Sequence, residues 1–276
     1  MDMFSAGKYK LPLGEKAYVM GILNVTPDSF SDGGRFFTPE KAVQHALEMQ
    51  EQGVDIIDIG AQSTRPGSTA ISAEEELKRL LPVLELLRNK LTIPLSVDTF
   101  YPTVAAAALD NGVSILNDVT GFDDEKMVAT AAKSDCGCIV MHHTGTEDSQ
   151  ETDIISAINQ YFVHKIEHMA HAGIGRDRIC LDPGVGFGKT HEQNLQILAN
   201  VGRLRVAGCT LLIAASRKRV IGGECGNPPF DQRVSGTVAA HSIAVADGAD
   251  MIRAHDVAEA VQSTKIASAI RRYRIG

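Results

Sequence analysis

Short apolar runs alternate with longer amphipathic stretches along nearly the whole chain. The runs at residues 17–23, 54–59, 94–97, 113–116, 138–141, 178–181, 211–214 and 251–253 are rich in Val, Ile, Leu and Ala and read as strands. Their continuity fits strands buried on both faces. The stretches between them carry helix signals. Thr38-Pro39-Glu40 offers an N-cap with proline at the first helical position. Ser72-Ala73-Glu74-Glu75 fits a capping box and opens the next helix. Further helices are expected over 102–111, 125–134, 151–172, 191–200, 234–247 and 257–272, with Gly53, Gly112 and Gly248 ending helices just before strands.

A strand followed by a helix, repeated about eight times without a long linker, implies a parallel sheet with right-handed crossovers. At 276 residues the count favours one α/β domain over 1–276, a closed (β/α)8 TIM barrel. An open doubly wound sheet is the alternative, and the glycine fingerprint of a dinucleotide fold is missing after the first strand.

Hydrophobic residues make up 44% of the chain, enough for a large core, and tryptophan is absent, so that core rests on aliphatic side chains. A formal charge of −7 argues against a nucleic-acid or anionic-membrane partner, while leaving room for a local cationic site that takes a small anion. Cys180 and Cys209 lie in apolar runs, and Cys136 and Cys138 have no second pair at zinc-site spacing. The start, MDMFSAGKYK, lacks the apolar core of a signal peptide, and no apolar run is long enough to span a membrane. The expected compartment is the reducing cytoplasm.

Polar residues close every apolar run. The first ends in Asn24 and a loop with Thr26, Asp28, Ser29, Phe30 and Asp32 before Gly33-Gly34. The others end in Asp58 and Ser63-Thr64-Arg65-Pro66-Gly67, in Asp98, in Asn117, in Met141-His142-His143, in Asp182, in Ser216-Arg217-Lys218, and in Arg253 with His255. In a barrel these ends form one ring, where active sites of this fold are built. A single Asp there is as good an N-cap as a ligand. Four short acceptors or amides, Asp58, Asp98, Asn117 and Asp182, suit the N–H edge of a flat nitrogen heterocycle. Arg65, Lys218, Arg253 and His255 make the mouth partly cationic and suit an anionic appendage.

The motifs MGILNVTPDSFSDGG at 20–34, STRPG at 63–67, SVD at 96–98, NDV at 117–119, DPGVGFGK at 182–189, SRK at 216–218 and RAHDV at 253–257 resemble, in order and over nearly the whole chain, the dihydropteroate synthase family of pterin-binding barrels. That resemblance implies an Mg²⁺-dependent transferase of folate synthesis, a sulfonamide target. It joins 6-hydroxymethyl-7,8-dihydropterin pyrophosphate to p-aminobenzoate, releasing 7,8-dihydropteroate and pyrophosphate. By the same resemblance Asp98, Asn117, Met141, Asp182 and Lys218 hold the pterin. Phe30, Thr64, Pro66, Phe187 and Ser216 hold p-aminobenzoate, with Lys218 beside it. Asn24, Thr64, Arg65, Arg253 and His255 hold the pyrophosphate, with Asn24 as the metal ligand. Asn24, Asp32, Arg65, Asp98, Lys218, Arg253 and His255 carry the catalysis, and a cytoplasmic homodimer is expected.

Three departures from the family pattern stand out: Gln62 where glutamate is common, His143 in place of the second methionine of Met-His-Met, and Ala214 in place of glycine. They keep two other readings open: a pterin barrel that moves a methyl group from methyltetrahydrofolate, and a pterin-binding paralogue with weak or no catalysis. Two motifs mislead. GVGFGKT at 184–190 has Pro183 where a phosphate loop needs glycine, and Gly184 and Gly186 are expected to admit a ligand closely, with Phe187 as a wall. His164, Glu167 and His168 match a zinc pattern, but with His171 they form one solvated helix face.

Overall fold

The computed structural model describes residues 2–26, 38–62, 71–143 and 153–274. A two-stranded antiparallel hairpin, β1 (Met3–Ala6) and β2 (Tyr9–Pro12), precedes the barrel. Eight parallel strands then close on themselves: β3 (Tyr18–Asn24), β4 (Ile56–Gly60), β5 (Leu95–Asp98), β6 (Ile115–Asp118), β7 (Gly137–Met141), β8 (Ile179–Asp182), β9 (Thr210–Ile213) and β10 (Met251–Ala254), with β10 paired to β3. The helices around them are α1 (Pro39–Glu51), α2 (Ala73–Leu87), α3 (Pro102–Asp110), α4 (Glu125–Ala132), α5 (Ile154–His171), α6 (His191–Ala199), α7 (Arg219–Glu224), α8 (Val234–Asp247) and α9 (Val257–Arg272). No described helix is long and apolar enough to cross a membrane.

Local chemistry explains the helix starts. The side chains of Thr38, Ser72, Asp124 and Asp153 accept backbone N–H groups of the first turns of α1, α2, α4 and α5. A full capping box, with bonds in both directions, forms at Thr190 and Gln193. Gly21 lies on the outer face of β3, where an added methyl would stand 2.9 Å from Met49 Sδ and 3.0 Å from Val257 Cγ2. Glycine there lets α1 and α9 press onto the strand.

Two apolar layers result. Outward-facing strand residues pack with the helices. Inward-facing residues, among them Met20, Ile56, Ile115, Ile139, Cys180, Leu212 and Met251, fill the barrel with Phe4 and Ala6 of the hairpin. Phe4 and Ala6 are fully buried, and Gly7 donates to the Asp135 carbonyl at 2.7 Å. A methyl on Gly137, at the start of β7, would lie 2.5 Å from Phe4 Cζ. The hairpin therefore seals the end of the barrel at which the strands begin. The sequence pattern does not announce it, and α7, after Ser216-Arg217-Lys218, is likewise a finding of the structure.

Candidate active site

Successive inward side chains on a strand are two residues apart. Two steps beyond the apolar layer, the same faces therefore present Asp58 after Ile56, Asn117 after Ile115, Met141 after Ile139, Asp182 after Cys180 and Arg253 after Met251. Ser96 leads to Asp98 in the same way. Register brings neighbours together, Asp98 opposite Asn117 and Met141 opposite Asp182. The polar ring thus follows from strand period alone.

Arg253 organises the ring. Its Nε donates to Asp58 Oδ2 at 2.6 Å and its Nη2 to Asp98 Oδ2 at 3.0 Å. Asn117 Nδ2 donates to the same Asp58 oxygen at 3.0 Å. Asp58, Asp98 and Asn117 are buried, and Asp58 Oδ1 and Asp98 Oδ1 have no hydrogen-bond partner. Buried acceptors without donors are costly unless a ligand completes them. None of these three is a helix cap. Asp182 is partly local, because its Oδ1 accepts the Gly184 N–H at 2.8 Å.

Burial pushes the Asp98 carboxyl up to about 7; Arg253 pulls it down, while Asp58, Glu76 and Asp118 add to the rise. Burial also raises Asp182, against Lys218 and the Gly184 N–H. Lys218 is lowered to about 8 by burial, with Asp182 opposing. Its Nζ donates to the Val185 carbonyl at 2.5 Å and lies 4.6 Å from the centre of the Phe187 ring. Ser216 Oγ accepts the His255 backbone N–H at 3.1 Å and meets His255 Nδ1 at 3.0 Å. Asn24 ends β3 opposite Gly60, and its Oδ1 lies 3.8 Å from where a Gly60 Cβ would stand; Asp98 Oδ2 is 3.9 Å from that same point. Asn24, Asp98, Asn117, Met141, Asp182, Phe187, Ser216, Lys218, Arg253 and His255 all sit at the mouth end of the strands or in the loops beyond. Phe30, Asp32, Thr64, Arg65 and Pro66 lie outside the described residues.

The structure corrects the reading of the glycine loop. Gly184, at φ +67°, is approached by the His142 carbonyl, 2.0 Å from where its Cβ would be, and Gly186 by Lys218 Cδ at 3.1 Å. Both make room for the protein itself. Lys189 donates to the carbonyls of His142, Gly184 and Phe187 at 3.1–3.2 Å, so it staples the loop. His164 and His171 are exposed and His168 reaches Glu125 at 3.3 Å, as a solvated helix face requires.

The departures have definite places. Ala214 joins the inner apolar layer. His143 Nε2 meets Asp123 Oδ2 at 2.8 Å, and Lys165 holds the other oxygen of Asp123 at 2.5 Å. Gln62 is buried, and its Nε2 donates to Glu76 Oε2 at 2.9 Å. Glu76 is fully buried and its Oε1 has no hydrogen-bond partner. The signal for Glu76 was present in the sequence, as a carboxylate on the same stripe of α2 as Leu80, Val83, Leu84 and Leu87. Burial raises it to about 7, with Thr99 and Arg79 opposing. A carboxyl raised on folding adds stability that is complete below its unfolded value near 4.5 and is lost as pH rises through about 7. Glu76→Gln is therefore expected to flatten the fall in stability between acidic and mildly alkaline pH by about 3 kcal/mol, read from urea unfolding across that window. An unchanged slope would show that Glu76 titrates normally.

The family of pterin binding enzymes matches the chain over residues 20–255. Dihydropteroate synthase of Clostridium beijerinckii is 40% identical over 268 residues, spanning 96% of this chain and 98% of its own. The chain belongs to the dihydropteroate synthase family. Solved structures of the family agree. The Xanthomonas albilineans dihydropteroate synthase with 4-aminobenzoic acid superposes with a TM-score of 0.88 at 42% identity, covering 94% of both chains. The Yersinia pestis dihydropteroate synthase in complex with a sulfonamide drug gives 0.91 at 40% identity, covering 98% of this chain and 99% of its own. The ring described above thus lies at the mouth of a dihydropteroate synthase barrel.

Proposed function

We infer that this chain is a dihydropteroate synthase, condensing 6-hydroxymethyl-7,8-dihydropterin pyrophosphate with p-aminobenzoate. The observation that carries the reading is the buried Arg253–Asp58–Asp98–Asn117 cluster with its two unpartnered carboxylate oxygens. Those acceptors suit the N–H donors of an aminopyrimidine edge. Asp182 and Lys218 complete the pocket, and Phe187 with Ser216 forms the outer p-aminobenzoate position.

The chemistry follows from the charges. The C–O bond to pyrophosphate breaks with its electron pair, leaving a cation on the pterin methylene. With Asp98 ionised, the cluster of two carboxylates and one guanidinium is net negative, which stabilises that cation. The arylamine nitrogen then forms the new C–N bond and loses a proton, needing only to be held in line. Arg253 has N–H groups beyond the two committed to Asp58 and Asp98, and these with His255 can meet the departing anion.

Mg²⁺ fits the donor set, because it takes one or two protein oxygens together with substrate phosphates. The Asn24 amide oxygen would hold it at the end of β3, near Asp98, and the ion would neutralise pyrophosphate charge. Exposed Ile243, Ile266, Ile270 and Tyr273 on and just after α8 and α9, at 60, 58, 61 and 86%, support a homodimer through these helices, which a monomer mass by light scattering would overturn. The cytoplasm is the compartment in which both substrates would meet this chain.

Purified chain with both substrates and Mg²⁺ is expected to release dihydropteroate, to stop when a chelator removes the ion, and to be inhibited by sulfonamides in competition with p-aminobenzoate. No product under these conditions would overturn the assignment.

A further inference from the structure

Helix α8 carries Arg233 at its N-cap, then Thr237 and His241, at four-residue intervals that place all three on one face. Each meets a different backbone group of the turn after β9. Arg233 Nη1 donates to the Arg217 carbonyl at 3.2 Å, Thr237 Oγ1 accepts the Arg217 N–H at 2.9 Å, and His241 Nε2 accepts the Ala215 N–H at 3.2 Å. Thr237 and His241 are buried, so they work from the packed layer behind the turn. Burial, with the Lys218 charge adding to it, lowers His241 to about 4, so its Nε2 stays an acceptor at neutral pH.

The turn needs such support. Arg217 has φ of +56°, a left-handed conformation unfavourable for any residue with a side chain. On the other side its guanidinium grips Asp256, Nε to Oδ2 at 2.9 Å and Nη2 to Oδ1, tying the turn to the segment after β10. Ser216 and Lys218 flank Arg217, and their side chains reach His255, Val185 and Phe187.

We propose that Arg233, Thr237 and His241 are positioning residues for p-aminobenzoate: by fixing the backbone from Ala215 to Arg217 they set where Ser216 and Lys218 stand. The inference rests on the reading of this site as a dihydropteroate synthase. Asp58, Asp98, Asn117 and Asp182 hang from β4, β5, β6 and β8, away from this face of α8, so of the pterin contacts only Lys218 depends on it.

The test compares His241→Leu with His241→Gln, whose side-chain oxygen reaches the place of Nε2, and Thr237→Val with Thr237→Ser. Each substrate is varied in turn, and pterin binding is measured separately by calorimetry. His241→Leu and Thr237→Val are expected to raise KM for p-aminobenzoate about tenfold, with pterin affinity, of which Lys218 is one contact among several, changed far less and melting temperature only modestly lowered. The Gln and Ser variants are expected to restore it. Should His241→Leu fail to fold, the Thr237 pair decides. A uniform loss that tracks melting temperature, or unchanged KM values, would overturn the inference alone. A wild-type chain that makes no dihydropteroate would overturn it together with the functional reading.

Discussion

Arg253→Met is expected to lower kcat/KM by about a thousandfold or more and to lower the melting temperature as well. The guanidinium joins Asp58 and Asp98, whose carboxylates are 0% and 5% exposed. Methionine keeps the length and removes the charge. Two buried carboxylates would then face each other without a cation, and breaking a buried pair by removing one partner costs about 3–5 kcal/mol. Part of that strain would be relieved by protonation, since Asp98 already stands at about 7 with Arg253 opposing the rise. A protonated pair presents a different hydrogen-bond pattern to the pterin edge, so binding suffers along with stability. Arg253→Lys supplies the charge without the planar fork and should recover stability better than turnover. Steady-state kinetics with thermal unfolding on all three proteins checks this. A methionine variant with wild-type kinetics would remove Arg253 from the working site.

Asp98→Asn is expected to separate the two properties that Arg253→Met loses together. Turnover should fall by about two to three orders of magnitude, because the carboxylate no longer stabilises the cation developing on the pterin methylene. Stability above neutral pH should hold or rise. A carboxyl raised from 3.8 to about 7 favours the folded state fully below pH 3.8 and loses that contribution as pH climbs through 7, whereas asparagine carries no such decline. The measurement is kcat beside unfolding free energy at two pH values on either side of 7. Parallel losses in both would assign Asp98 a packing role.

The barrel was legible because its evidence repeats: each strand is short, mostly apolar and ends at or just before polar residues. The ring at the mouth was legible for the same reason, since an inward face that is apolar at Ile56 or Ile115 continues to Asp58 or Asn117 two residues later. What escaped was tertiary in origin. Nothing local marks β1 and β2 as the barrel's seal; their meaning lies in Phe4 meeting Gly137, over a hundred residues away. Gly184 and Gly186 read as room for a ligand, whereas the groups that approach them are the His142 carbonyl and Lys218. Gln62 stands where the family pattern has glutamate, and in place it is the donor to a buried Glu76. The α8 stripe was hidden because Thr237 and His241 serve backbone atoms, which sequence patterns do not display.

The closed far end of the barrel also bears on the order in which substrates bind. Phe4 and Ala6 pack beneath the inner layer, so among the described residues the barrel is filled below the ring at the mouth. On the proposed reading, with the pterin deepest, the pterin is expected to bind first and p-aminobenzoate to settle above it. An early p-aminobenzoate would block the shaft, and rising concentrations of it should then slow the reaction when dihydropterin pyrophosphate is scarce.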